Sequence, residues 1–312
     1  MRPGPLKLRP IPVARPWGGD VLVQRFGKPR PPDGGPLGES WEASGVAGRE
    51  SVVAEGPYAG RRVTEVLGAP LPLLIKLIDA RQWLSVQVHP DERAAREIGG
   101  GAAPKTEAWH ILDAAPGAEI IHGMRPGATL TDLLAACATG ELDSVVRRQR
   151  VHTGDTVNVP AGTLHAIGPG LVLYEVQQPS DTTYRVYDWG RGRELHLVQA
   201  ARALAFEPIE HPVLHTALSA GPNPRIPLLA NERLRLELIL VDRGERVIYD
   251  RDAITFLTVI AGGGELLADA GSLALATGDT LAIPPGVDYC LRPGTSGLRA
   301  LRAGPALRRR SG

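Results

Sequence analysis

The chain has 312 residues, 43% of them hydrophobic and 22% charged, with a formal net charge of +1. This is the make-up of a globular protein of one large or two ordinary domains, and it excludes a global field that would draw nucleic acid or an anionic membrane. No run approaches the roughly 20 apolar residues of a membrane span, and the proline- and arginine-rich segment 1–16 lacks the apolar core of a signal peptide, so a cytoplasmic location is expected.

Along the chain, 37 glycines and 28 prolines punctuate short apolar runs, the pattern of many short strands joined by turns. Strands are predicted at 73–78, 84–89, 109–112, 156–159, 171–176, 236–241, 254–260 and 281–283. Helices are predicted at 91–97, at 130–150 with Gly140 dividing it, and at 195–204. The second rests on the spacing of Leu130, Leu133, Leu134, Cys137, Leu142 and Val145. Strand-dominated chains of this size become sandwiches or barrels. The two cysteines, Cys137 and Cys290, read as isolated thiols. Lysine is confined to Lys7, Lys28, Lys76 and Lys105 in an arginine-rich background, which marks each of the four.

An internal repeat sets the organisation. The nine residues from Gly154 to Gly162 (GDTVNVPAG) recur from Gly278 to Gly286 (GDTLAIPPG). The motif reads as a Gly-Asp turn, a short strand and a proline–glycine corner that feeds the next strand. Three residues after the last glycine the first copy carries His165 and the second Tyr289. A duplicated barrel unit follows, with a boundary near residue 205. Residues 1–205 are expected to form a first unit that can bind a metal through His165, with a helical insertion at about 126–150. Residues 206–312 form a degenerate second unit without the ligands.

The candidate ligands come from three places. Side chains alternate across a strand, so Gln87 and His89 share one face while Val86 and Val88 take the other. Glu107 arrives after a helical excursion, and His165 enters from a later strand. Two imidazoles, a carboxylate and an amide oxygen suit zinc; iron, manganese or cobalt fit the same donors. His110, His122, His152, His196, His211 and His215 have no partner at ligand spacing and read as structural. Trp41, Trp83, Trp109 and Tyr187 could pack against the ring of a ligand or in the core. Arginines 308–310 read as a solvated tail.

The stretch from Gly154 to His165 resembles the second signature of the cupin family, and SVQVHP (85–90) stands where its first signature would, with Gln87 replacing a histidine. SVQVHP, KTEAW (105–109), PAGTLHA (160–166) and SDTTYR (180–185) together resemble the type I phosphomannose isomerases, in the same order. WGG (17–19) and GESWE (38–42) add to the likeness, which covers residues 17 to 193.

The resemblance implies an all-β double cupin holding one Zn2+ per chain at Gln87, His89, Glu107 and His165. It also implies exchange of mannose 6-phosphate and fructose 6-phosphate through a cis-enediol. Arg185 matches the family's active-site arginine. Lys105 and Asp181 match proposed acid/base or substrate-contacting groups. A small sugar phosphate is then the partner, with no nucleic acid or membrane, in a monomer or homodimer. The alternatives are a cupin acting on another aldose, a non-catalytic sugar-phosphate-binding protein and an iron cupin dioxygenase.

Overall fold

The computed structural model describes residues 3–207, 209, 212–215, 224–249 and 253–307. His211 and arginines 308–310 lie outside these residues. Among the described residues the strands form three antiparallel sheets. A seven-stranded sheet runs Val213–Leu214, Thr156–Val159, Glu107–Ala114, Leu171–Gln177, Leu74–Ala80, Leu37–Ala43 and Ile11–Gly19. A five-stranded sheet runs Tyr184–Tyr187, Val86–Val88, His165–Ile167, Glu119–Met124 and Val146–Arg150. An eight-stranded sheet is built mainly from the C-terminal part, around the long strands Thr255–Ala268 and Tyr289–Pro305. The all-β expectation holds. No helix of the described residues is long and apolar enough to cross a membrane.

The seven-stranded sheet is buried on both faces, which is why its central strands read as continuous apolar runs. On Leu171–Gln177, Val172, Tyr174 and Val176 join a core shared with Phe256, Leu301 and Ala303 of the eight-stranded sheet. Leu173 faces the other way, into a core with Trp109, Ile120 and Ile167 that ties the seven- and five-stranded sheets together. Glu175 and Gln177 share that second face by alternation.

The helices are few and capped. Asp91 accepts from Ala94 N at 2.7 Å to start Glu92–Ile98, and a Thr129–Asp132 capping box starts Leu130–Thr139. This helix stops at Gly140, whose φ is +83°. The helical reading of 130–150 therefore ran too far. Leu142–Ser144 is a single 3-10 turn, and Val146–Arg150 is a strand paired with Glu119–Met124. Leu142 and Val145 are buried as the helical pattern required, but in the core beneath that turn. Cys137 and Cys290 are free thiols.

Both copies of the repeat form the predicted strand, Thr156–Val159 and Thr280–Ile283, and in both the aspartate closes the turn. Asp155 accepts from His152 N at 2.7 Å and Asp279 from Ala276 N at 2.8 Å. Two-residue strands cover the outer edges: Val213–Leu214 pairs with the first copy and Leu6–Lys7 with the second. The leading glycines adopt left-handed backbone, φ +92° at Gly154 and +96° at Gly278, yet their surroundings differ. A Cβ on Gly154 meets nothing within 4 Å, whereas one on Gly278 falls 2.1 Å from the Phe26 carbonyl oxygen. Gly154→Ala is expected to cost only the left-handed penalty of about 1–2 kcal/mol. Gly278→Ala should cost a further ~1–3 kcal/mol through overpacking, read as the difference between the two urea midpoints.

Candidate metal centre and its cavity

Register brings the chemistry-bearing residues into one row. Across the five-stranded sheet Arg185 pairs with Gln87, Gln87 with His165, and His165 with His122. Directly paired residues project from the same face, so all four point toward the facing sheet. From that sheet Glu107 enters, held between Val159 and Gln177. His89 follows Gln87 by two residues. The potential ligand atoms of His89, Glu107 and His165 lie within 4.8 Å of one another, the one such group among the described residues.

The tautomers suit coordination. His89 Nδ1 is 2.9 Å from the Thr182 carbonyl oxygen, and His165 Nδ1 is 2.9 Å from that of Thr163. A carbonyl only accepts, so both Nδ1 atoms carry the proton and both Nε2 atoms offer a lone pair. Glu107 meets them with one oxygen each, at 3.3 Å in both cases. Lys105 Nζ lies 2.6 Å from Glu107 Oε2 and 3.0 Å from His89 Nε2, a cation among the same donors. Gln87 donates its amide to His165 Nε2 at 3.2 Å and accepts from Ser85 Oγ at 3.1 Å.

Electrostatics fix the charge states. Burial pushes the Glu107 carboxyl up, but the Lys105 ammonium beside it prevails and holds it well below the usual range. Burial and then Lys105 push His89 down to about 3, and burial also lowers His165. The site thus combines an ionised carboxylate with two neutral rings, the protonation states a divalent ion needs.

Beside this centre opens a cavity of about 260 Å³. Arg185, Lys105 and Asp181 line it, as do Gln87 and Ser85. Asp181 is exposed and Lys105 buried. His196 accepts the Arg185 N–H on its Nδ1 at 3.1 Å and donates its own N–H to the Arg185 carbonyl at 2.7 Å, so it holds the strand end that carries the arginine. His110 and His122 bond to Thr156 and Asn158 within the fold.

A second row went unassigned at the sequence level. Trp109, Glu175, Lys76 and Trp41 are paired across four strands of the seven-stranded sheet. Lys76 lies 2.9 Å from Glu175, and Trp109 donates to both Glu107 (3.1 Å) and Glu175 (3.2 Å). One row further, Glu39 takes Arg15 at 2.8 Å and the Trp41 indole at 2.7 Å. Burial opposes these charges, yet Lys76 and Arg15 hold Glu39 down to about 2, and Glu175 and Glu39 hold Lys76 up to about 12. The available signal was a charged residue inside an apolar central strand, which is rare without a partner.

A family model described as phosphomannose isomerase type I, catalytic domain, matches residues 6–109. Mannose-6-phosphate isomerase ManA of Bacillus subtilis is 33% identical over 306 residues, 91% of this chain and 94% of that one. This chain belongs to the type I phosphomannose isomerase family. It is accordingly an enzyme of the isomerase class. The crystal structure of mannose 6-phosphate isomerase from Bacillus subtilis matches with a TM-score of 0.86 at 30% identity, covering 97% of this chain and 100% of that one. A zinc-bound mannose 6-phosphate isomerase, 17% identical, shares the fold with a TM-score of 0.74 over 98% of this chain and 100% of that one. The double-cupin expectation holds with these neighbours.

Proposed function

We propose that this phosphomannose isomerase interconverts mannose 6-phosphate and fructose 6-phosphate in the cytoplasm, with one zinc ion held by Gln87, His89, Glu107 and His165. The observation that carries the reading is the convergence of two imidazole lone pairs and an ionised carboxylate beside a charged cavity. Zinc bound there supplies Lewis acidity toward a sugar carbonyl or hydroxyl oxygen. Gln87 joins as a ligand when its amide turns end for end, which exchanges its donor for its acceptor toward the centre and leaves Ser85 a partner.

The chain's own groups then carry the proton between C1 and C2 through a cis-enediol. Lys105, buried among the ligands, and Asp181, at the exposed edge of the cavity, are the acid/base groups. The Arg185 guanidinium lines the same cavity and meets anionic charge on the substrate. In this reading the first unit, residues 1–205, holds the chemistry. The second, 206–312, is a degenerate barrel: Tyr289, where the repeat puts His165, is packed among Leu257, Leu281 and Leu291.

A coupled assay of zinc-loaded protein with mannose 6-phosphate, following fructose 6-phosphate beside a chelator-treated control, tests it. Turnover that disappears with the metal and returns on adding zinc is expected. Full turnover after chelation overturns the metal's role, and absence of turnover with zinc bound overturns the substrate.

A further inference from the structure

The cavity beside the metal centre carries more positive than negative side chains. Arg15, Arg49, Lys76, Lys105, Arg185 and Arg193 stand against Glu39, Glu175 and Asp181. Lys76 and Lys105 each have a carboxylate within 2.9 Å. Arg185 is different. Its Nη1 donates only to the Glu194 carbonyl, at 3.0 Å, and its Nε is buried without a hydrogen bond. Burial, then Arg193, and more weakly Arg15 disfavour its charge, with Asp188 offsetting part of this. Guanidiniums from three different segments are thus gathered near one point where they repel.

The segment that brings Arg193 there is held under strain. Asp188 is buried and binds Arg193 through two N–H groups at 2.8 and 2.5 Å, and Arg191 at 2.9 Å. The next residue, Trp189, has φ of +54°, the one non-glycine in the left-handed region among the described residues. Such a conformation costs about 1–3 kcal/mol and persists only where its surroundings over-determine it. Here they do. The Trp189 indole donates to the Leu84 carbonyl at 2.7 Å, its ring stacks on Trp83 at 5.3 Å, and Tyr187 meets it edge-on at 5.2 Å. Leu84 leads into the strand that carries Gln87, so the arginine turn is locked to the ligand strand.

We propose that Arg15, Arg185 and Arg193 form the anchor for the phosphoryl group of the substrate, and that Trp189 is the positioning residue that holds this anchor at a fixed distance from the metal centre. Arg185 sits one strand from Gln87 and two from His165, about 5 and 10 Å by interstrand spacing. An acyclic hexose phosphate with its C1–C2 end at the histidines therefore puts its C6 end at the arginines. A dianion there offsets the mutual repulsion and gives the buried Arg185 Nε an acceptor. The identity of the substrate rests on the isomerase reading, whereas the anion site can be tested apart from it.

The experiment uses the full-length zinc-loaded protein and inorganic phosphate, titrated calorimetrically and as an inhibitor of mannose 6-phosphate turnover. Arg193→Gln is expected to weaken phosphate binding and raise KM by roughly 10- to 100-fold, the worth of a charged hydrogen bond, with kcat within about threefold. Arg193→Lys, which keeps the charge but not the fork, should fall between. Trp189→Gly, which relaxes the backbone and releases the turn, should also raise KM at near-constant kcat, while Trp189→Phe, which keeps the ring, recovers part of the loss. A purely structural role would lower the melting temperature without separating KM from kcat. Unchanged phosphate affinity in Arg193→Gln and Arg193→Lys, or a loss confined to kcat, overturns the anchor. Phosphate binding that depends on Arg193 in a protein without isomerase turnover keeps the anchor and removes the isomerase reading instead.

Discussion

Glu107→Gln is expected to lose bound zinc and isomerase turnover together. The substitution is nearly isosteric, and the remaining carbonyl oxygen can still accept the Trp109 indole N–H, now 3.1 Å from Oε1. What disappears is the negative charge that meets both His89 and His165 at 3.3 Å and Lys105 at 2.6 Å. Without it the buried Lys105 ammonium and an incoming divalent ion have no compensating anion in the centre, and desolvation opposes both. Loss of an outer-shell partner typically costs 10- to 100-fold in metal affinity or activity. Replacing the sole carboxylate of the set should exceed that, while Ser85→Ala, which touches the centre only through the Gln87 amide, should stay within it. Zinc content after dialysis, measured beside kcat/KM, checks the point. One equivalent of tightly held zinc with normal turnover in Glu107→Gln would sink the proposed centre.

The repeat shows what the sequence could reveal. Its glycines, aspartates and prolines dictate turns at defined offsets, and the strands Thr156–Val159 and Thr280–Ile283 lie between them. Alternation likewise put Gln87 and His89 on one face without knowledge of the neighbours. The row of Glu175 and Lys76 was hidden for the converse reason. Their strands are buried on both faces, so no alternation marks the inner side, and their meeting depends on cross-strand register. The strands Leu6–Lys7 and Val213–Leu214 are too short to leave any periodicity. The left-handed backbone of Trp189 had no signal, because long-range contacts impose it on a residue that disfavours it. Leu142 and Val145 misled because a helix face and a 3-10 turn over a core can bury the same spacing.

Lys28→Met is expected to destabilise the chain by about 3–5 kcal/mol, since it strands a buried carboxylate. Lys28 Nζ lies 2.6 Å from Glu42 Oε2 and 2.5 Å from the Gly278 carbonyl oxygen, and both side chains are buried. Glu42 belongs to the strand Leu37–Ala43 of the seven-stranded sheet, and Gly278 leads the repeat strand of the eight-stranded one, so this pair ties the two sheets together. Ser40 and Thr280 donate their hydroxyls to the same carboxylate at 2.7 and 3.2 Å. Glu42→Gln keeps a single carbonyl oxygen for those two hydroxyls and leaves the ammonium without its anion, so it too should cost several kcal/mol. The double variant removes both charges and should be no worse than either single one, a coupling of about 2 kcal/mol or more in urea denaturation. Purely additive losses would mean that each side chain acts through its own packing. Losses below about 1 kcal/mol in both single variants would place the pair with weak surface bridges, despite its burial. The opposite face of the same strand presents Glu39 to the cavity, so the cavity depends on a wall whose back is fastened to the eight-stranded sheet.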